Sequence, residues 1–333
     1  MALSTSVTRL LGIEHPIVLA AMDLVADARL TLAVSRAGGL GFLGAGYGDP
    51  DWLERELGAI EHAADRPDLP FGIGFITWSL AKQPQLLDRA LASNPRAIWL
   101  SFGDPEPFIA QIKDAGALVV CQVQSVEMAA DAVAKGADII VAQGGEAGGH
   151  GIAQSSLTLA PAVCDAVGDR VPILLAGGAA DGRALAAALM LGAQGIVMGT
   201  RFYASIEAAA AVSAKQRIVE ATGNDTLRSI VFDISRQNIW PAPFTGRCLR
   251  NRHTERWAGQ EVELMRRDDV IADFAVAREA ENFEIAPVIA GEAVGLVRDA
   301  PTAGDIVRRT VADAEQRLRE AGELIARQSG HAA

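Results

Sequence analysis

His150 stands among five glycines and one glutamate in AQGGEAGGHG, Ala142 to Gly151, directly after the apolar run ADIIV. An imidazole titrates near neutral pH and is suited to moving protons. Glycines lose the most backbone entropy on folding, so this density implies that something comes close to the backbone here. Three roles are open to the histidine: a turn-capping loop residue, a metal ligand, or an acid–base group beside a phosphate-bearing cofactor. Metal binding needs partners at ligand spacing, and the chain has no HxH, HxxxH or cysteine cluster. Glu146, four residues earlier, could share a helical turn with His150, but two ligands are too few. No metal site is expected, and His150 is read as catalytic.

A second group of residues suits a phosphate. AGGAADGRAL places Gly177 and Gly178 after an apolar run and before an Asp-Gly helix start, and MGTRF supplies Gly199 and Thr200. Glycines let backbone N–H groups approach a phosphate, and a helix start adds a favourable dipole. Gly148 and Gly149 would let a flat cofactor lie against the backbone. Gln122 and Gln143 are polar at the ends of apolar runs, where they could hydrogen-bond a ring or a ribityl chain. GAGYGD (44–49) has its third glycine one place too early for a dinucleotide fingerprint. Cys121 lies inside an apolar run and reads as an inert thiol. Trp78, Trp240 and Trp257 could wall a pocket or cover one end of the fold, and Arg247, Arg250 and Arg252 read as ion-pairing residues.

Eight apolar runs of strand length must position these groups: 16–21, 39–46, 71–76, 97–102, 118–123, 139–144, 172–178 and 195–200. Such uninterrupted runs suit strands covered on both faces. Helix-like segments alternate with them, and AGGLGF, AGALVV, KGADII and LGAQGIV mark returns to strand, each with a glycine placed to end a helix. The expected fold is an α/β (β/α)₈ TIM barrel with an appended C-terminal segment; a doubly wound sheet is the competitor. In a barrel, Ala21, Met22, Gly74, Gln122, Gln143, Gly177, Gly178, Gly199 and Thr200 all fall at or near C-terminal strand ends, where active sites form. The expected organisation is a barrel core over 1–222, an irregular or helical excursion covering the mouth over 223–295, and a C-terminal helix over 296–333, beginning near 302.

At 333 residues, a net charge of −11 and a pI near 5, the chain is not built for nucleic acid or anionic membranes. Three cysteines without a CxxC pair fit a reducing compartment, and the N-terminus lacks a signal-peptide pattern, so a cytoplasmic location is expected. Homo-oligomer formation stays open.

HPIVLAAM, AVSRAGGLGFLGAGY, VAQGGEAGGHG, LLAGGAADGRALAAALMLGAQGIVMGTRF and AGEAVGL resemble the nitronate monooxygenase family over nearly the whole chain. The resemblance implies an FMN-binding TIM barrel that acts on a nitronate or nitroalkane with O2. His150 corresponds to the family's catalytic base or flavin-side hydrogen-bonding residue, Ala21 and Met22 to the strand end against the flavin ring, and Gln122 to the polar position of strand five. Gly178, Gly199 and Thr200 correspond to the phosphate ligands, and the loop from Gly291 to one that approaches the active site. The chain departs from the family at Asp23, where a small or apolar residue is usual, and at Gly74, where an asparagine is common. FMN-type enoyl-acyl-carrier-protein reductases and NAD(P)H:quinone reductases share related motifs, so a reductase is the alternative activity. A non-catalytic flavin-binding protein is the alternative of a different class.

Overall fold

The computed structural model describes residues 3–63 and 69–329. Its strands are β1 (Ile17–Leu19), β2 (Gly41–Gly46), β3 (Phe71–Ile76), β4 (Ala97–Ser101), β5 (Leu118–Val123), β6 (Ile139–Gln143), β7 (Gly149–Gly151), β8 (Ile173–Ala176), β9 (Ile196–Met198), β10 (Thr226–Ser229) and β11 (Thr245–Leu249). Eight of them form a parallel sheet in the order β1-β9-β8-β6-β5-β4-β3-β2. A parallel bridge between Val18 and Leu40 joins the two ends, with Leu19 N–H donating to Leu40 O (2.9 Å) and Leu40 N–H to Ile17 O (3.0 Å). The sheet is therefore a closed (β/α)₈ barrel and not a doubly wound sheet.

The helix-ending glycines behave as their position demands: Gly38, Gly116, Gly136 and Gly192 have φ of +88°, +80°, +113° and +93°, a region closed to most side chains. Inside the barrel, Val18, Phe42, Trp99, Val120, Val141, Leu174 and Val197 form a packed centre, and Val7 and Leu11 of the helix Ser6–Leu11 pack onto it from one end. A larger apolar layer lies between the strands and the outer helices. β1 is shorter than the expected 16–21, because after Ala20 donates to Met198 O the chain leaves the ladder and turns through Leu24 (φ +58°).

The segment after 222 is more regular than its composition implies. β10, β11 and β7 form an antiparallel sheet, with Thr226–Ser229 paired to Leu249–Gly246 and Thr245–Arg247 paired to Gly151–Gly149. TGRCL and TLRS lack polar–apolar alternation, and their arginines sit mid-strand, so the pattern gives no sign of a sheet. The segment also holds the helices Val231–Ser235, Arg252–Trp257, Glu261–Leu264 and Asp268–Glu279. The last helix spans Ala303–Ser329 and packs on Gly182–Met190, where a Cβ on Gly182 would sit 2.3 Å from Ala314 N. Among the described residues, no helix is long and apolar enough to cross a membrane.

Candidate active site

A cavity of about 420 Å³ opens at the C-terminal ends of the strands. Ala21, Met22, Gly74, Gln122, Gln143, Gly148, Gly149, His150, Gly177, Gly178, Gly199 and Thr200 all line it. Gly74 has a packing reason: a Cβ there would lie 2.2 Å from the Ala21 side chain, so this barrel has no room for an asparagine.

His150 is not in a loop. It occupies β7 opposite Gly246 of β11, which fixes its backbone in the added sheet. The buried ring places Nε2 3.0 Å from both carboxylate oxygens of Asp233, itself buried in the helix Val231–Ser235. Arg236 Nη2 donates to Asp233 Oδ1 at 2.7 Å. The ring also stacks on Trp240, with centroids 3.4 Å apart and planes 4° from parallel. Burial pushes the His150 pKa below its usual value, partly opposed by the hydrogen bond to and the charge of Asp233. The imidazole is therefore neutral at pH 7, with Nε2–H donated to Asp233 and Nδ1 without a partner among the described residues.

Asp233, Arg236 and Trp240 come from the mouth segment. Trp240 Nε1–H donates to the Tyr47 hydroxyl at 2.8 Å, and its ring packs edge-on against Trp78 and Phe102 at 5.5 and 4.9 Å. Trp240 thus walls the cavity and Trp78 buttresses it. Trp257 instead packs with Val231, Ile234 and Leu264, away from the cavity lining.

Much of the glycine density around His150 serves backbone packing. A Cβ on Gly148 would lie 2.7 Å from Ala290 C, one on Gly145 2.7 Å from Ala153 O, and one on Gly291 2.4 Å from Glu146 O. The 290–292 loop therefore lies directly on the 145–148 loop, and Glu292 N–H donates to Glu146 O at 2.9 Å. Two arginines hold the same stretch from β10 and β11. Arg228 Nη2 donates to Gly145 O (2.9 Å) and Ala147 O (3.2 Å), and Arg247 Nε to Gly145 O (3.1 Å). Arg247 also pairs with Glu292 at 3.0 Å, an ion pair within the mouth segment.

Glu146 does not share a helical turn with His150. Its carboxylate accepts from Ser155 Oγ (2.8 Å) and Ser156 N (3.0 Å) and so caps the helix Ser156–Val167. Gln143 Oε1 accepts from Gln122 Nε2 (2.9 Å) and Gln124 Nε2 (2.8 Å), while its own Nε2 donates to His150 O (3.1 Å). It therefore positions the His150 backbone. Cys121 is buried, which pushes its thiol up to about 12 and leaves it unreactive. Among the described residues no three His, Cys, Asp or Glu side chains converge as a metal site.

The sequence profile of the nitronate monooxygenase family matches residues 4–313. This chain belongs to the nitronate monooxygenase family. It is 34% identical to a nitronate monooxygenase of Neurospora crassa over 92% of this chain and 91% of that protein. Among solved structures it resembles FabK from Thermotoga maritima, with a TM-score of 0.84 and 28% identity, covering 96% of this chain and 99% of that one. It also resembles a nitroalkane oxidase from Streptomyces ansochromogenes, with a TM-score of 0.78 and 25% identity over 95% and 99% of the two chains. Membership makes the chain an oxidoreductase that acts on a small molecule.

Proposed function

We propose that the chain uses FMN to oxidise alkyl nitronates and nitroalkanes with O2, yielding carbonyl compounds and nitrite. The observation that carries this reading is the buried His150 at the cavity wall with Asp233 hydrogen-bonded behind it, a base with its orienting carboxylate. Asp233 holds the proton on Nε2, so Nδ1 keeps the lone pair that accepts a proton from the carbon beside the nitro group. The imidazolium so formed is stabilised by the same carboxylate. The aromatic wall and the added sheet bury the imidazole.

The residues fit FMN. Gly177 and Gly178 have φ of +99° and +72°, and a Cβ on Gly178 would meet only Ser156 Oγ at 3.9 Å, which leaves its backbone open to a phosphate. The Thr200 hydroxyl accepts from Gly291 N–H at 2.9 Å and keeps its own hydrogen to donate. Trp99 Nε1, buried at the cavity wall, has no partner among the described residues. We assign the phosphate to Gly178, Gly199 and Thr200, beside Gly177. The ring is assigned to the surface of Ala21, Met22, Gly74 and Gln122, with Gly148 and Gly149 alongside. When bound, FMN supplies the electron acceptor that O2 re-oxidises.

A second reading, an FMN-dependent NAD(P)H-using reductase, is favoured by the likeness to FabK. Anaerobic stopped-flow absorbance separates the two. Fast bleaching by an alkyl nitronate and slow bleaching by NADH or NADPH is the expected result. Rapid bleaching by a dinucleotide without a response to nitronate would promote the reductase. Denaturing the yellow protein should release FMN; FAD, or no flavin after reconstitution, contradicts the cofactor assignment.

A further inference from the structure

Tyr47 directly follows β2 and lines the cavity, and the fold holds it from several sides. Its carbonyl accepts from Ser79 Oγ at 2.7 Å, and its backbone N–H donates to the Asp23 carboxylate. Its ring packs edge-on against Trp78 and Trp240, with centroids 6.0 Å from each. The phenol oxygen accepts Trp240 Nε1–H at 2.8 Å, whereas the hydroxyl hydrogen has no acceptor among the described residues. Burial raises the phenol pKa above its usual value, so that hydrogen is present at neutral pH. The clamped side chain therefore offers one unused donor to the cavity.

The indole that donates to Tyr47 is the one that stacks on His150 at 3.4 Å, so a single side chain ties the phenol to the base. The charges nearby do not exclude an anion. Arg236 lines the cavity while bonded to Asp233, and Arg278 lines it from the helix Asp268–Glu279 with no ion-pair partner among the described residues. Against these cations stands the Asp23 carboxylate, whose pKa burial pushes up to about 6.

We propose that Tyr47 is a second catalytic residue, whose hydroxyl donates a hydrogen bond to an oxygen of the nitro group and holds the adjacent carbon toward His150. When that carbon loses its proton to His150 Nδ1, the C–H electron pair moves into a C=N bond and negative charge gathers on the two oxygens. The phenol keeps its own proton, and its hydrogen bond strengthens as that charge develops. A donor fixed in place before the reaction stabilises such charge without having to reorganise. The same bond holds a nitronate that arrives already deprotonated. This inference rests on reading the cavity as the site for nitroalkanes and their anions.

The test uses isobutyrate, a planar two-oxygen anion with the shape of the 2-nitropropane anion, and its neutral amide, isobutyramide. Each is titrated calorimetrically into the purified protein at neutral pH. Tyr47→Phe should weaken isobutyrate about tenfold or more and isobutyramide about twofold, since a hydrogen bond to a charged acceptor is the stronger. An unchanged isobutyrate affinity overturns the proposal. Equal weakening of both ligands also overturns it, because the hydroxyl then acts only by supporting Trp240. A measurement without that variant stands behind these. The chain has two tyrosines, so 3-fluorotyrosine labelling gives two fluorine NMR signals, assigned with Tyr203→Phe. The Tyr47 signal should move on adding isobutyrate, and a signal that stays in place while isobutyrate binds contradicts the assignment. Neither ligand turns over, so an unmodified protein that ignores nitroalkanes would fail the functional reading without altering this result.

Discussion

Around the cavity the barrel supplies His150 and most of the lining, whereas the segment 223–295 supplies the groups that surround the imidazole. Gly74, Gly177, Gly178 and Gly199 bring main chain to the cavity wall. Asp233, Arg236 and Trp240 surround the His150 imidazole with a carboxylate, that carboxylate's counter-ion and a stacked indole. β7 is where the two regions meet, since three residues of a barrel loop become the edge of the outer sheet. The contrast suggests a division of labour: the barrel shapes the space, and the outer segment decides what the histidine can do.

Removing the imidazole should break this arrangement most severely. His150→Asn is expected to keep its cofactor while losing about 10²–10⁴-fold of neutral nitroalkane turnover, measured as oxygen consumption. Asp233→Asn removes the orienting group but leaves the base, so a smaller loss of up to about 10²-fold is expected. The pH profile sharpens the point. His150 is depressed by burial, so kcat/KM for a neutral nitroalkane should fall only below pH 6.5, as the base becomes protonated. Because the Asp233 carboxylate raises that pKa, Asp233→Asn should move the acid limb lower still.

On the barrel side the effect is steric. Gly74→Ala forces a methyl group to within 2.2 Å of the Ala21 side chain. The expected cost is about 1–3 kcal/mol of stability, read by denaturant titration.

The smallest effect concerns the outer segment alone. His253 is buried between Phe232 and Phe274 with Ser235 Oγ 2.8 Å from Nε2, and burial lowers its pKa to about 4. A folded pKa below the unfolded value near 6.5 means that the neutral form is favoured by folding. The associated stability is present above pH 6.5 and is lost as pH falls through about 4. His253→Gln should flatten the decline in Tm over that window.

The same two regions differ in how far their sequence exposes them. Parallel strands covered on both faces appear as runs such as ADIIV and AIWLSF, and the glycines of KGADII and its counterparts mark the returns to strand. Barrel order then brings Gly178, Gly199, Gly74 and Gln122 to one cavity without further information. Asp233 is 83 residues from His150, on a five-residue helix, and no local pattern couples them. Its one signal is an acid inside the apolar stretch VFDIS. Arg228 and Arg247 sit mid-strand because they clamp Gly145, a reason visible only once β10 and β11 lie over the loop.

The account turns on a base that matters only while the substrate still carries its proton. The most direct measurement is kcat/KM of His150→Asn for a nitroalkane and for its preformed conjugate nitronate, each against the unmodified enzyme. The neutral compound should lose about 10²–10⁴-fold while the nitronate stays near the unmodified rate. Equal losses for both would contradict proton abstraction as the role of His150.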